Sequence, residues 1–187
     1  VDYLLQLFFH ILPYGDFTLG NVWSKARELV HRHVIRVFVI DPYKYINHQI
    51  PAGMTETWYI GSFMNSLARF ARLNSCLVIL VAHPRKMNKQ YGTQKTEVPT
   101  IYDINGSANF FNMTDYGIVV DRQDEMGIVY IHVEKTRFRN FGTKGNAAFC
   151  YDVTNGRYSP CTPPPEPGMQ VQPWKGAKDL FSSEGWI

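Results

Sequence analysis

Two polar side chains directly follow short apolar runs that have the composition of buried strands. Asp41 follows Val37–Ile40, and His83 follows Leu77–Ala82. A carboxylate at a strand end can hold the water shell of a magnesium ion beside a nucleotide, and a polar group on the neighbouring strand can sense a γ-phosphate. Each residue also has a simpler interpretation: Asp41 would cap the turn before Pro42, and His83 would be structural.

A cluster of basic residues follows a predicted strand in the second half of the chain. Lys135, Arg137, Arg139 and Lys144 occur with no acidic residue from 135 to 144. An arginine can stabilise transition-state charge on a transferring phosphoryl group through its paired donors. The alternative is a solvated hairpin tip.

Two further segments have residue types that suit phosphate groups. The loop over 84–100 has four basic residues and one acid, which suits a nucleic-acid backbone or a charged surface loop: Arg85, Lys86, Lys89, Lys95 and Glu97. Asp103–Ala108 contains Gly106, and backbone N–H groups at such a helix start can hold phosphate oxygens. A plain helix cap would give the same pattern.

A scaffold of alternating strands and helices is predicted around Asp41 and His83. Thr18 and Thr55 are predicted N-caps of two helices whose apolar residues follow the helical period. Three apolar runs are predicted strands: residues 3–12, Val34–Ile40 and Cys76–Ala82. This order predicts a parallel sheet buried on both faces, with Asp41 and His83 at the strand ends where ligands gather.

The second half is predicted to be built from hairpins. A short helix near 103–112 precedes the predicted strands Gly117–Asp121, Ile128–Glu134 and Asn146–Val153. The proline-rich segment Pro160–Gly168 is predicted not to continue the sheet. We therefore expect a domain at 1–159 and a tail at 160–187. The tail's apolar residues either pack on the domain or a neighbouring copy, or dock another protein: Trp174, Leu180, Phe181, Trp186 and Ile187.

Composition restricts the class of protein. The chain has 187 residues, of which 45% are hydrophobic and 19% charged, which excludes a disordered or collagen-like chain and allows a sizeable core. No apolar run approaches the ~20 residues of a membrane span. The three cysteines are far apart and lack metal-site spacing, which favours a reducing, cytoplasmic setting. The net charge of +3 is too small to indicate a partner.

The order and spacing of the segments resemble the carboxyl-terminal RecA-like motor of the DnaB-like ring helicases. The matching segments are Val39–Pro42, Val78–Lys86, Asp103–Ala108, Asp115–Arg122, Lys135–Phe138, Tyr151–Asp152 and Thr154–Tyr158. The run from His83 to Lys86 is similar to the branch of phage primase-helicases and Twinkle, because the DnaB branch usually has glutamine at the position of His83. The resemblance covers residues 3–158.

The resemblance implies an α/β fold: a RecA-like, largely parallel sheet flanked by helices, with β-hairpins at its carboxyl-terminal end. Asp41 corresponds to the Walker B aspartate, acting on Mg²⁺ through water, and His83 to the γ-phosphate sensor. Arg137 is similar to the arginine finger that reaches the nucleotide of the neighbouring subunit, with Lys135 beside it in the same role. Arg122 and Tyr151 match positions that flank the nucleotide base.

The resemblance also implies a path for single-stranded DNA. The basic loop and the glycine-bearing segment fall where the central-channel DNA-binding loops of the family lie: Arg85, Lys86, Lys89, Asn105, Gly106 and Ser107. The partners implied are single-stranded DNA, further copies of the protein in a hexameric ring, and other replication proteins that the tail would dock. ATP or another NTP and Mg²⁺ are the implied cofactors, with no membrane.

Two expected parts of a nucleotide site are missing from the sequence. No GxxxxGK[ST] motif occurs in the 187 residues, and no candidate exists for the family's catalytic glutamate. Because the chain starts at Val1 within an apolar stretch, we expect both parts upstream in a longer protein. The resemblance then implies a truncated P-loop NTPase core that does not hydrolyse NTP by itself.

The sequence thus predicts part of an NTP-driven, ring-shaped replicative DNA helicase in the cytoplasm of a bacterial or phage-infected cell. The alternative is a non-catalytic nucleic-acid-binding module with a RecA-like sheet and no ATPase activity. A P-loop encoded upstream of Val1 would support the helicase. A recombinase or clock-type relative fits less well, because the segments at His83–Lys86 and Lys135–Phe138 match the ring helicases better.

Overall fold

The computed structural model of the protein describes residues 18–85, 98–104, 107–123 and 127–161. Its contacts divide the chain into two units, residues 1–83 and residues 84–187. The predicted strand at 3–12 and the tail from residue 162 lie outside the described residues. None of the helices in the described ranges combines the length and hydropathy of a membrane span.

Two capped helices supply most of the buried residues of the first unit. Helix α1 is Leu19–His33, and Thr18 Oγ1 accepts a hydrogen bond from the backbone N–H of Asn21. Helix α2 is Glu56–Asn74, and Thr55 Oγ1 accepts from the N–H of Trp58. Both N-caps predicted from the sequence are confirmed, since each threonine satisfies a donor that the first helical turn leaves open.

The first unit contains a parallel strand pair. Strand β1 is Val37–Ile40 and strand β2 is Leu77–Leu80, paired in register from Val37 with Leu77 to Ile40 with Leu80. This confirms the predicted parallel pairing. The expected start of the strand at Val34 is wrong, because Val34 has φ 53° and closes α1 with its N–H on the Val30 carbonyl.

Burial on both faces of this pair, expected from the apolar runs, is wrong for the described residues. Phe38 lies 5.9 Å from Phe70 of α2, and Trp23 of α1 stacks on Phe70 at 4.7 Å. The opposite face stays accessible, with Val37 48% and Val39 52% exposed. An apolar run indicates that both faces of a strand carry apolar side chains, but it does not show what covers them. The helices of this unit cover one of the two faces.

The second unit is an antiparallel sheet preceded by a short helix. Helix α3 is Ser107–Met113, and the four strands follow in sheet order: β3 Tyr116–Gln123, β4 Ile128–Thr136, β5 Gly145–Asp152 and β6 Arg157–Pro160. The predicted hairpins are confirmed, and with the parallel pair they give the predicted α/β class. The expectation that Pro160 does not continue the sheet is wrong. Pro160 is the last residue of the edge strand β6 and pairs with Phe149, and an edge strand tolerates the missing N–H of proline.

We predict that Phe63→Ala lowers the free energy of unfolding by about 3–5 kcal/mol, because Phe63 is 1% exposed and its loss leaves a cavity. Trp58→Ala is the matched control, since Trp58 is an aromatic residue of the same helix that is 60% exposed. Its effect should stay within about 0.5 kcal/mol. Urea unfolding measures both, and equal losses would contradict a core centred on Phe63.

Candidate functional site

The structure places Asp41 and His83 at one edge of the parallel pair. Beyond the strands, the Val81 N–H donates to the Ile40 carbonyl at 2.9 Å, and the Tyr43 N–H donates to the Val81 carbonyl at 2.8 Å. Asp41 is the residue after β1, and His83 follows Val81 by two positions. Both side chains are exposed, and in the described part of the chain neither makes a hydrogen bond or an ion pair.

The turn after Asp41 does not use its carboxylate as a cap. A 3₁₀ helix over Tyr43–Tyr45 follows, and its N-cap residue is Pro42, with no capping bond from a side chain. The alternative interpretation of Asp41 as a turn cap therefore has no support within the described residues. An exposed carboxylate without a protein partner is able to bind a hydrated cation.

An aromatic cluster holds the segment that follows Asp41. His48 Nε2 donates to the Tyr43 carbonyl at 3.0 Å, and His48 Nδ1 accepts from the Tyr59 hydroxyl at 3.0 Å. The Tyr43 ring packs edge-on against buried Phe63 at 5.1 Å. Burial raises the pKa of Tyr43 to about 12 and also raises that of Tyr59. The sequence analysis did not identify this aromatic cluster, because His48 belongs to none of the motifs.

The second unit brings Arg122 and Tyr151 together. The Arg122 guanidinium carbon lies 5.8 Å from the centre of the Tyr151 ring, and Tyr151 lies 4.9 Å from the Tyr158 ring. Arg122 is on β3 and Tyr151 on β5, with β4 between them. The two residues that the resemblance assigns to the nucleotide base therefore lie in one partly exposed cluster with Tyr158, and an aromatic or guanidinium face there can stack against a flat ring.

Lys135 and Arg137 meet at the carboxyl-terminal end of α3. Lys135 Nζ donates to the carbonyls of Phe111 and Asn112, the latter at 3.1 Å. Arg137 forms an ion pair with Asp115 at 2.6 Å and donates to the Asn112 carbonyl at 3.4 Å. Cations suit this position, because the last carbonyls of a helix lack partners within the helix.

Arg85 is anchored by a tight turn in the same unit. Its guanidinium lies 3.4 Å from the Asp103 carboxylate, and its backbone N–H donates to the main-chain carbonyl of Asp103 at 2.8 Å. Asp103 accepts from the N–H and the hydroxyl of Thr100, both at 2.8 Å. These two bonds, strengthened by the positive charge of Arg85, hold the pKa of Asp103 below its ordinary value.

The turn that holds Arg85 is fixed to the sheet. The Ile101 N–H donates to Glu134 Oε2 of β4 at 2.8 Å. Gly117 of β3 lies close to this turn, and a Cβ atom at this position would force the end of the Ile101 side chain to shift. Sequence reasoning placed Asp103 and Asp115 in matching segments but missed their contacts.

The remaining candidate DNA-binding residues are only partly described. Lys86, Lys89, Asn105 and Gly106 lie outside the described residues, and Ser107 is the first residue of α3. Among the residues that the structure describes, no group of three His, Cys, Asp or Glu side chains is arranged to hold a metal ion. Asp41 and His83 belong to the first unit, and all other described candidates belong to the second.

Comparison with known proteins gives one strong sequence match. The chain is 40% identical over 163 residues to the Twinkle homolog protein, chloroplastic/mitochondrial, of Arabidopsis thaliana. The match covers 84% of this chain but only 22% of that protein. The chain therefore spans less than a quarter of the length of the curated relative it matches. No family model matches the chain.

Two solved structures share the fold. One is an ATPase domain that superposes with a TM-score of 0.61 at 18% identity, covering 78% of this chain and 52% of that one. The other is a DnaB-like replicative helicase, solved with its interactions with primase, which gives a TM-score of 0.63 at 19% identity and covers 80% and 36%. These likenesses confirm the RecA-like α/β fold. The sequence match agrees with the resemblance to the DnaB-like ring helicases that the motifs indicate.

We predict that Thr100→Val raises the pKa of Asp103 towards its ordinary value, because the variant removes the hydroxyl donor to the carboxylate. In the wild type, the depressed pKa stabilises the fold above the unfolded-state pKa of about 3.9. That contribution is lost as the pH falls through the folded-state value. NMR titration of the Asp103 carboxyl carbon measures the shift.

Thr114→Val is the matched control for this titration. Its hydroxyl donates to the Tyr116 carbonyl at 2.8 Å and not to Asp103, so the pKa of Asp103 should be unchanged in this variant. An identical Asp103 titration in wild type and Thr100→Val would show that the Thr100 hydroxyl does not stabilise the carboxylate.

Proposed function

We propose that this chain is part of an NTP-driven, ring-shaped replicative DNA helicase that couples ATP hydrolysis to movement along single-stranded DNA. The observation that carries the proposal is the 40% identity over 163 residues to a Twinkle homologue. The RecA-like fold agrees with it. Chemistry in such a motor consists of positioning and charge stabilisation during in-line attack of water on the γ-phosphate.

Asp41 and His83 are the proposed nucleotide contacts of the first unit. Asp41 would hold Mg²⁺ through water, and its exposed carboxylate, free of a cap role, fits that use. Mg²⁺ bound there would neutralise charge on the phosphates. His83, exposed at the same sheet edge, would donate to a γ-phosphate oxygen. A single protein carboxylate suits Mg²⁺, which keeps several waters and binds substrate phosphates.

Arg122, Tyr151, Lys135 and Arg137 are the proposed contacts of the second unit. Arg122 and Tyr151 would flank the nucleotide base. Arg137, assisted by Lys135, would stabilise the transferring phosphoryl group of a neighbouring subunit. This assignment makes hydrolysis depend on assembly, and we propose a hexameric ring of identical subunits as its setting. Further copies of the protein are therefore its first partners.

Single-stranded DNA is the proposed substrate of the ring's central channel. The contacts would come from Arg85, Lys86 and Lys89, and from the segment Asn105, Gly106 and Ser107. The Asp103 carbonyl accepts from the backbone N–H of Arg85, and the Asp103 carboxylate pairs with its guanidinium, which supports a role in positioning DNA phosphates. Primase is a further proposed partner, since the DnaB-like helicase of similar fold interacts with one.

The compartment remains a prediction. The motifs favour the cytoplasm of a bacterial or phage-infected cell, whereas the name of the Arabidopsis relative assigns that protein to chloroplasts and mitochondria. We propose the organellar matrix as the alternative compartment. Expression of the complete gene with a fluorescent tag in the source cell distinguishes them.

We predict that Arg137→Ala in the full-length protein lowers NTP turnover by ~10³–10⁵-fold, because it removes the charge that stabilises the transition state. Nucleotide affinity should change far less, since the bound ground state keeps its other contacts. Steady-state NTPase assays and nucleotide-binding titrations measure the two effects.

Mixed rings test whether Arg137 acts between subunits. Arg137→Ala subunits retain Asp41, and Asp41→Asn subunits retain Arg137, so some interfaces of a mixed ring contain both native residues. Turnover by mixed rings should exceed that of either variant alone. A complete absence of rescue in rings shown to be mixed would contradict the assignment in trans.

We predict that replacing both Lys86 and Lys89 by alanine weakens single-stranded DNA binding evenly across sequences, because lysines that contact phosphates read no bases. The salt dependence of binding should become shallower by ~0.7 per lost contact. Fluorescence anisotropy over a salt series measures this slope. Replacing Lys25, a lysine of α1 paired with Glu28, is the control and should leave the slope unchanged. An unchanged slope in the double variant would assign the lysines to a surface loop.

A further inference from the structure

The contacts of Arg137 orient it from one side. The NH1 group donates to Asp115 Oδ1 at 2.6 Å, and the NH2 group donates to the Asn112 carbonyl at 3.4 Å. The Arg137 N–H also donates to the Asp115 carbonyl at 2.9 Å. Asp115 thus binds both the backbone and the guanidinium of the same arginine, and fixes the two ends of a long side chain.

These contacts leave part of the guanidinium able to bind another anion. Arginine has five N–H donors, and two of them are used in the contacts that the structure describes. The Arg137 side chain is 45% exposed. The Asp115 carboxylate therefore restricts the orientation of the group without covering it, which suits an arginine whose remaining donors meet a phosphoryl group.

Lys135 binds the same end of α3 as Arg137. Its Nζ binds the Phe111 and Asn112 carbonyls and lies 4.9 Å from the centre of the Phe111 ring. Burial and the charge of Arg137 lower the pKa of Lys135, and the charge of Asp115 opposes that shift. Two cations therefore bind one helix end, and the negative charge of Asp115 favours both of them.

We infer that Asp115 is a positioning residue for Arg137, holding its guanidinium in the orientation that reaches the phosphoryl group of a neighbouring subunit. The inference rests on the proposed function, since it concerns the same arginine. An unrestrained arginine loses considerable rotamer freedom when it binds. Because Asp115 imposes that order in advance, less of the ordering remains for the moment of reaction.

Asp115→Asn in the full-length protein tests the inference. The amide keeps the size of the side chain but loses the charge that holds the guanidinium. We expect kcat for NTP hydrolysis to fall roughly 10- to 100-fold, the size of effect that misplacing a reacting group has. The KM for NTP should stay nearly constant, since Arg137 would act in the transition state. Asp115→Glu, which keeps the charge, should recover part of the lost kcat.

A double variant separates positioning from general damage. If Asp115 acts through Arg137, then Asp115→Asn should cost nothing further in an Arg137→Ala background. Glu28→Gln is the matched control, because it removes a carboxylate from a surface ion pair of α1, and its kcat should equal that of the wild type. Melting temperature and ring assembly are measured for every variant. If Asp115→Asn does not assemble into rings, the kcat and KM of Asp115→Glu are used to test the inference instead.

The outcomes separate this inference from the proposed function. Unchanged kcat in Asp115→Asn, with turnover abolished in Arg137→Ala, would overturn the positioning role and leave Arg137 as the finger. An equal drop on adding Asp115→Asn to Arg137→Ala would also overturn it, because the effect would then not pass through the arginine. Unchanged turnover in Arg137→Ala itself would overturn the proposed function of that residue.

Discussion

The antiparallel pairing of β4 on both of its edges is the constraint on which the second unit depends. β4 pairs with β3 from Ile128 to Thr136 and with β5 from Ile128 to Val133. Its buried residues Val129 and Tyr130 anchor the middle of the sheet. Because the strand is held on both sides as far as Val133 and by β3 as far as Thr136, the charged residues at its end have fixed positions. Glu134 binds the turn at Ile101, and Lys135 binds the end of α3.

The short helix α3 depends on that strand end for its stability. A helix of 7 residues is too short to be stable alone in water, and its last carbonyls need donors from elsewhere. Lys135 and Arg137 supply them, and the Tyr102 ring stacks on Phe111 at 4.5 Å. The proposed DNA-binding residue Ser107 begins the helix whose end holds the proposed finger. One two-turn element therefore connects the two proposed functions.

The first unit carries two polar side chains, Asp41 and His83, beyond the carboxyl-terminal ends of its two parallel strands. Parallel strands require a crossover, and α2 supplies it between β1 and β2. The hydrogen bond from Val81 to Ile40 continues the pairing beyond the strands and aligns the segments that carry Asp41 and His83. His48 and Tyr59 then fix the following loop without using the Asp41 carboxylate. Local packing thus leaves that carboxylate exposed and without a partner among the described residues.

The sequence by itself determined the helix starts at Thr18 and Thr55, the parallel pairing of β1 with β2 and the hairpins, because capping and periodicity act over a few residues. It could not supply the partners of the candidate residues. Arg137 and Asp115 are 22 residues apart, and Ile101 and Glu134 are 33 apart, so strand register and packing select these pairs. The exposure of Val37 and the pairing of Pro160 were likewise decided by which neighbours cover each face and edge. Residue type limits the chemistry a side chain can perform, and only the tertiary structure decides which groups meet.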